Sequence, residues 1–261
     1  MVMGVDNHKQ MIMNGEMQSW QHIDTPFVYQ NIHTLGYQPK NLAEHISVLN
    51  NAAKTLFRQQ LNTSERNIKE QIYTLLSMQR LSLNVTICVV LKLYATGDYS
   101  LEYEEPSIYR GYALRGLRPE ACYLNLKPDI SGPSSSVSLA ARKMADAIAK
   151  SRHAHIAIML DANNNLVFEP SFPLFCVINE VVFLPQDAAE SAELKLVEKA
   201  ARSCGLKICQ RTISKELINS ADEVLIASWQ GITSISNIDN QIEYYWTIIA
   251  ERLAEKMQST E

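Results

Sequence analysis

The spacing of apolar side chains predicts two helices early in the chain. In residues 41–58 they recur at intervals of three and four, at Ile46, Leu49, Ala53 and Leu56. Asn41 stands before this stretch and Glu44 follows it three residues later, the pattern of a capping box with asparagine in the Ser/Thr position. Residues 64–80 repeat the helical spacing, so we expect a second helix there.

Strand and helix patterns alternate through the rest of the chain. A dense β-branched run predicts a buried strand at 84–94, and 110–126 contains further strand-like stretches. Beyond residue 136 we expect strands at 155–160, 167–168, 174–184, 206–211 and 223–228. We expect helices at 137–151, 188–204 and 214–219, and a C-terminal helix that turns Ile242, Trp246, Ile249 and Leu253 inward.

One segment has the composition of a linker. Residues 127–136 contain two prolines, one glycine and four serines. The mixture of strands and helices on both sides predicts an α/β protein of the α+β type in two halves. We therefore expect an N-terminal α/β domain at 1–128 and a C-terminal, pseudo-barrel-like α/β domain at 129–261.

Glycine is scarce, and this scarcity argues against one large class of nucleotide-binding proteins. The chain has 9 glycines in 261 residues, whereas the usual share is about 7%. None of them forms a G-x-G-x-x-G motif. Gly111 and Gly116 have the spacing of a P-loop, but Leu117 and Arg118 follow where lysine and Ser/Thr are required. We expect no glycine-rich phosphate cradle.

Charge and hydropathy narrow the classes of partner. The net charge of −4 argues against nucleic acid, which requires a concentrated basic face. Arg110, Arg115 and Arg118 form the one basic cluster in the sequence, which we interpret as a solvated strand edge. No stretch of about 18 uninterrupted apolar residues is present, and the start does not resemble a signal peptide. We expect a cytoplasmic protein without a membrane partner.

The sequence predicts no metal site. None of the five cysteines forms a C-x-x-C pair, so zinc-ribbon and thioredoxin-like chemistry is not expected. His153 and His155 would lie on one strand face, but no third ligand is evident, and we interpret them as a solvent-facing pair.

Several local motifs follow one another in the order found in a known enzyme family. They are 11–16 (MIMNGE), 29–45 (YQNIHTLGYQPKNLAEH), 155–169 (HIAIMLDANNNLVFE), 182–185 (VFLP) and 205–238, which contains SADEV at 220–224. This order and spacing resemble the fold-type-IV pyridoxal-phosphate (PLP) enzymes: the branched-chain and D-amino-acid aminotransferases and aminodeoxychorismate lyase. The resemblance covers most of the chain.

The resemblance implies a two-domain architecture like that of D-amino-acid aminotransferase. It also implies a homodimer, with a cofactor and a small-molecule ligand in a cleft between the domains, and PLP as that cofactor. Glu169 matches the carboxylate that pairs with the pyridinium nitrogen in the family, and it is the one cofactor-binding residue that we carry over. Since its family partners are replaced here, an ordinary salt-bridged glutamate is the alternative.

The lysine that PLP chemistry requires is missing at its expected place. A lysine amine must hold the aldehyde and move the proton of the α-carbon. In the family it precedes the hairpin glutamate by about 34 residues, which here leads to Ser134–Ser136. The nearest lysines in sequence are Lys127 and Lys143. We name no catalytic residue.

The phosphate and substrate motifs of the family are also replaced. Val48 stands where helix one carries a phosphate-binding arginine. The phosphate turn reads 191–194 (SAEL), so Glu193 would bring negative charge toward a phosphate. The second phosphate turn contains the bulky Trp229, and 24–27 (DTPF) replaces the loop that shapes the substrate pocket. The resemblance therefore implies PLP as a cofactor that we expect not to be bound.

Three functions remain open on the sequence alone, and whether the chain is an enzyme is undecided. The first is a relative that has lost classical PLP catalysis and binds a ligand or partner. The second is an active aminotransferase or aminodeoxychorismate-lyase-type enzyme that uses Lys127 or Lys143. The third is a non-enzymatic interaction module, with exposed aromatics at Tyr99, Tyr103, Tyr109 and Tyr112.

Overall fold

A computed structural model describes residues 9–79, 81–104, 106–126, 132–186 and 188–259. The chain divides into two compact units, one ending at Ile108 and the other beginning at Tyr109. This division precedes the boundary that the linker-like composition suggested at 128/129, because the strands between residues 113 and 125 pair with strands from the C-terminal half. Most of the expected linker, 127–131, lies outside the described residues.

The first unit is one antiparallel sheet covered by two helices. Its elements are β1 (Gln10–Met13), β2 (Glu16–Ser19), β3 (Phe27–Leu35), β4 (Gln38–Pro39), α1 (Leu42–Phe57), α2 (Glu65–Met78), β5 (Thr86–Tyr94) and β6 (Tyr99–Tyr103). The strands lie in the order β2-β1-β6-β5-β3-β4. Alternate residues of β3 and β5, such as Ile32 and Leu91, pack against Leu49 of α1 and Ile72 of α2 in a buried core.

The two helices of this unit begin in different ways. Ser64 caps α2, and its hydroxyl accepts a hydrogen bond from the Asn67 backbone N–H at 3.2 Å. Asn41 precedes α1 in the left-handed conformation, with φ 51°, and its side chain makes no capping hydrogen bond. The expected capping box with Glu44 is therefore wrong, because a left-handed residue does not hold its side chain in the geometry of an N-cap.

The second unit contains two sheets. Its strands are β7 (Ala113–Leu114), β8 (Glu120–Asn125), β9 (Ile156–Leu160), β10 (Leu174–Ile178), β11 (Val181–Pro185), β12 (Lys207–Arg211), β13 (Glu223–Ser228), β14 (Gly231–Ser234), β15 (Asn237–Ile238) and β16 (Ile242–Glu243). Its helices are α3 (Ser136–Ser151), α4 (Ala192–Ser203), α5 (Lys215–Asn219) and α6 (Ile248–Ser259). The strand orders are β12-β11-β10-β13-β14-β7 and β16-β15-β8-β9.

These elements form four layers. α4 and α6 pack on one face of the six-stranded sheet, with Val197 and Leu253 in the core. The other face of that sheet meets the four-stranded sheet across a second core that contains Ile158 and Ile226. α3 covers the outer face of the four-stranded sheet through Ala145 and its neighbours. The central strands β10 and β13 are thus buried on both faces, as their apolar runs predict, whereas the edge strands β12 and β16 are partly exposed.

The motif SADEV at 220–224 has a structural role here. The Asp222 carboxylate accepts the backbone N–H of Asn179 at 2.7 Å and closes the turn between β10 and β11. The Glu223 carboxylate accepts the N–H groups of Ile249 and Ala250 at 2.8 and 2.9 Å. It therefore satisfies the first turn of α6, where the helix dipole favours a negative charge.

Three expectations from the sequence are wrong in detail. Ile242 lies in β16 rather than in the last helix, and Trp246 is 59% exposed rather than inward. The expected strand at 167–168 is absent, and isolated bridges form at residues 165 and 166 instead. Tyr99 and Tyr112 are buried, so they are not the exposed aromatics of an interface. No helix in the described part of the chain is long and apolar enough to cross a membrane.

At Gly231 the backbone of β14 comes very close to that of β7. It has φ 110°, and a Cβ built there would lie 2.1 Å from the carbonyl oxygen of Ala113. We predict that Gly231→Ala lowers the free energy of unfolding by about 3 kcal/mol or more, because both the conformation and the space exclude a side chain. Chemical unfolding measures the loss. Gly116→Ala is the control, since nothing lies within 4 Å of that position, and equal losses would contradict the explanation.

Candidate functional site

Glu169 forms an ion pair within the second unit. Its Oε2 accepts a hydrogen bond from Nη1 of Arg142 at 2.7 Å, and both side chains are 15% exposed. Arg142 lies in the second turn of α3, and Glu169 lies between β9 and β10. The pair therefore ties the helix to the segment that the sequence resemblance singled out. Its role as a cofactor ligand stays a prediction.

Arg142 is held from several directions. Its Nη2 donates to the carbonyl of Ala157 in β9 at 2.7 Å, and its Nε lies 3.2 Å from Oδ1 of Asp146 on the same helix. The ring of Phe172 lies 5.8 Å from the guanidinium carbon. The guanidinium is thus oriented toward Glu169 by a backbone acceptor, a carboxylate and an aromatic ring. Sequence reasoning missed Arg142, although its spacing from Asp146 is that of a helical ion pair.

Opposing effects act on the protonation of Glu169. Burial raises the pKa of its carboxyl to about 7, although Arg142 acts in the opposite direction, while Asp146 adds to the rise. The space around the pair is small: a cavity of only about 10 Å³ is lined by both side chains together with Leu174 and Ile226. The carboxylate is therefore directed at a protein cation in a packed region.

The serines at the expected lysine position begin a helix. Ser135 caps α3: its hydroxyl accepts the N–H of Ser138 at 3.3 Å, and the Ser138 hydroxyl accepts the N–H of Ser135 at 2.7 Å. This reciprocal capping box satisfies two backbone donors. Ser134 and Ser135 are buried. Lys143 lies on the exposed side of α3, and Lys127 lies outside the described residues.

The N-terminus of α4 is closed by the chain itself. Ser191 caps it, accepting the N–H of Leu194 at 3.1 Å and donating to the carbonyl of Pro170 at 2.5 Å. The Glu193 carboxyl lies 3.5 Å from the Ser191 hydroxyl and is 4% exposed. No cation forms an ion pair with Glu193 among the described residues, and burial raises the pKa of its carboxyl to about 8. An acidic group thus occupies the helix end that attracts anions.

The other positions at which the sequence resemblance expects phosphate-binding residues also make contacts within the fold. Val48 is buried on α1, and His45 in the same helix is buried with its Nδ1 3.0 Å from Oε1 of Gln30. Ser228 pairs with Gly231 across the β13–β14 hairpin, and its hydroxyl accepts the N–H of Gln230 at 3.2 Å. Trp229 is half-buried in the same turn.

A cavity of about 270 Å³ lies at the carboxyl ends of three strands of this unit. Asp161, Gln186 and Thr212 line it, and each is the first residue after its strand: β9, β11 and β12. Phe168, Ile213 and two alanines supply apolar walls. Ligands of α/β proteins commonly bind outside the carboxyl ends of strands, so this cavity is a candidate site that the sequence did not reveal.

The described residues contain no group of three potential metal ligands. His153 and His155 are exposed, and Nδ1 of His155 accepts the N–H of Glu120 at 3.4 Å. The described cysteines are free thiols.

The order of strands and helices and the two-unit architecture together define the fold of the fold-type-IV aminotransferases. The branched-chain amino acid aminotransferase from Escherichia coli superimposes with a TM-score of 0.77 at 16% identity, over 95% of this chain and 92% of that one. An aminotransferase from Brucella abortus, solved bound to PLP, gives 0.78 at 12% identity, over 96% and 98%.

Other aminotransferases of the class show the same similarity. The branched-chain aminotransferase from Thermoproteus uzoniensis, solved with norvaline, matches with a TM-score of 0.77 at 16% identity, over 95% of this chain and 93% of that one. No family model and no curated protein matches the sequence. The shared fold is therefore visible in the structure rather than in overall sequence similarity.

We predict that Arg142→Leu lowers the free energy of unfolding by about 3 kcal/mol, because it leaves Glu169 half-buried without a cation. Urea unfolding measures the change. Arg202→Leu is the matched control: its ion pair with Glu198 is 68% exposed on the arginine side, and its loss should cost less than about 1 kcal/mol. Adding Glu169→Gln to Arg142→Leu should recover part of the stability, and no recovery would contradict an uncompensated charge as the cause.

We predict that Glu193 makes the fold less stable as the pH rises. Its folded pKa of about 8 lies above the ordinary value of 4.5, so its contribution is complete below about pH 4.5 and is lost as the pH rises through about 8. Urea unfolding between about pH 5 and pH 9 should show a smaller fall in stability for Glu193→Gln than for the wild type. Glu255→Gln removes an exposed carboxylate on α6 and should leave the profile unchanged; parallel wild-type and Glu193→Gln profiles would refute the assignment.

Proposed function

We propose that this chain is an aminotransferase-fold protein that has lost classical PLP catalysis and binds a small-molecule ligand or a protein partner. The observation that carries the proposal is the Arg142–Glu169 ion pair, with its 2.7 Å hydrogen bond. A pyridinium nitrogen needs an available carboxylate, and this one faces a guanidinium that Ala157 and Asp146 hold in place. We propose that Glu169 stays in this pair and has a structural role.

Two further observations support the proposal that the residues present do not fit PLP. The amine that must hold the aldehyde is replaced by Ser135, whose hydroxyl is used to cap α3. The helix end that would receive a phosphate is already capped by the Ser191 hydroxyl, which accepts the N–H of Leu194, and the buried Glu193 carboxyl lies beside that cap.

The cavity at the strand ends supports ligand binding. Its volume of about 270 Å³ suits a small molecule, and the hydroxyl of Thr212 and the amide of Gln186 would orient a polar part against the apolar walls. We also propose that the protein is cytoplasmic and that it is a homodimer, the latter because the resemblance to the fold-type-IV enzymes implies one. Light scattering should then give twice the chain mass of 29.5 kDa.

The proposal predicts a colourless protein. Purified protein incubated with PLP and then dialysed should show no absorbance band near about 400 nm, because no internal imine forms. Borohydride treatment followed by peptide mapping should find no lysine that is labelled stoichiometrically. The Brucella abortus aminotransferase, solved bound to PLP, serves as the positive control under the same conditions.

A yellow protein whose borohydride adduct maps to one lysine would overturn the proposal. If that lysine is Lys127 or Lys143, the result would also support the active-enzyme alternative. Lys127→Ala and Lys143→Ala would then identify which amine is required for amino-group transfer.

A further inference from the structure

Four arginine side chains of the second unit are half-buried in the described part of the chain, and one of them differs from the others. Three of them donate to carbonyl or carboxylate oxygens: Arg118 to the carbonyls of Ile235 and Tyr244, Arg142 to Ala157 and Glu169, and Arg252 to Cys204. The fourth, Arg115, bonds only to a hydroxyl. Its charge therefore lacks the acceptor that the other three have.

Arg115 directly follows β7, and its backbone N–H donates to the carbonyl of Ile232 at 2.8 Å, which fixes its position beside β14. Its Nη1 lies 3.3 Å from Oγ1 of Thr233, and its guanidinium carbon lies 5.6 Å from the centre of the Tyr109 ring. The Nε atoms of Arg115, Arg118 and Arg142 are all buried without a hydrogen-bond partner. Arg115 differs in that the bond from its Nη1 goes to a hydroxyl and not to a carbonyl or carboxylate oxygen. Among the described residues, none of the salt bridges involves Arg115.

This arrangement leaves hydrogen-bond donors and a positive charge unmatched. A guanidinium carries five N–H donors, and burying one of them without an acceptor costs free energy. Thr233 is 1% exposed, and its hydroxyl, which accepts from Arg115, still has a proton to donate. Both groups therefore offer donors to one acceptor, and that acceptor should carry negative charge.

We infer that Arg115 and Thr233 form a binding site for a small oxyanion, the carboxylate or phosphate group of a ligand. The planar fork of arginine matches two oxygens of either group. The neighbouring Gly116 is exposed, and nothing lies within 4 Å of its Cβ position. This site is separate from the α4 terminus occupied by Glu193, and it does not depend on the proposed loss of PLP catalysis.

The test is a titration of the full-length protein with sodium acetate and, separately, sodium phosphate, at ionic strength held constant with sodium chloride. The backbone amide resonances of Gly116 and Leu117 report binding. Saturable shifts with either anion support the site, and the anion that binds more tightly identifies the group. The absence of saturable shifts with both anions overturns the inference.

Variants separate a built site from a general positive field. Arg115→Gln should weaken binding at least about tenfold, since a charge-assisted hydrogen bond is lost. Arg110→Gln removes the same charge from an exposed neighbour and should change the affinity by less than about twofold. Equal weakening by the two variants would overturn the inference.

Two conservative variants keep the test valid if Arg115→Gln does not fold. Arg115→Lys keeps the charge but loses the fork, and Thr233→Val removes only the hydroxyl. Each should weaken binding severalfold in a protein with unchanged thermal unfolding. Wild-type affinity in both would overturn the inference.

Discussion

The arrangement of α3, β9 and the segment around Glu169 in the second unit depends on the pairing of the Arg142 guanidinium with Glu169. Arg142 extends from α3, bonds to the backbone of β9 and binds Glu169 beyond that strand, so one side chain joins three parts of the fold. Both charged groups are 15% exposed. Because neither could be left alone at that burial without a large desolvation cost, the position of α3 and the conformation around Glu169 are coupled.

Two buried acidic side chains, Glu169 and Glu193, avoid the cost of an unpaired buried charge in different ways. Glu169 retains a cationic partner, whereas Glu193 is buried without one, and burial raises its pKa to about 8. The Ser191 hydroxyl, bound to Pro170, connects the two regions. Neither carboxyl therefore leaves an unmatched negative charge in this buried region: Glu169 is paired with a cation, and the raised pKa of Glu193 favours its neutral form.

Local sequence patterns predict where strands and helices lie better than they predict which strands pair and which side chains make contact. The strand at 223–228 was predicted from its apolar run and is observed with the same bounds as β13, because a strand buried on both faces needs such a run. The helical spacing of apolar residues begins at Ile242 and predicts that Trp246 points inward. Ile242 in fact belongs to the β15–β16 hairpin, and strand pairing of this kind is not encoded in the local spacing. The Arg142–Glu169 contact spans 27 residues, and no local pattern encodes it. β7 and β8 likewise belong to the second unit because they pair with β14 and β9, which are distant in sequence.

The capping box of α3 limits what a substitution at Ser135 can achieve. A lysine placed at Ser135 would supply an amine but would remove the hydroxyl that holds the first turn of the helix. Glu169 would still face Arg142, and Glu193 would still occupy the start of α4. Each of these residues contributes to the stability of the fold. A lysine introduced at Ser135 alone would therefore add an amine at the expense of the first turn of α3, and it would leave both acidic groups where they are.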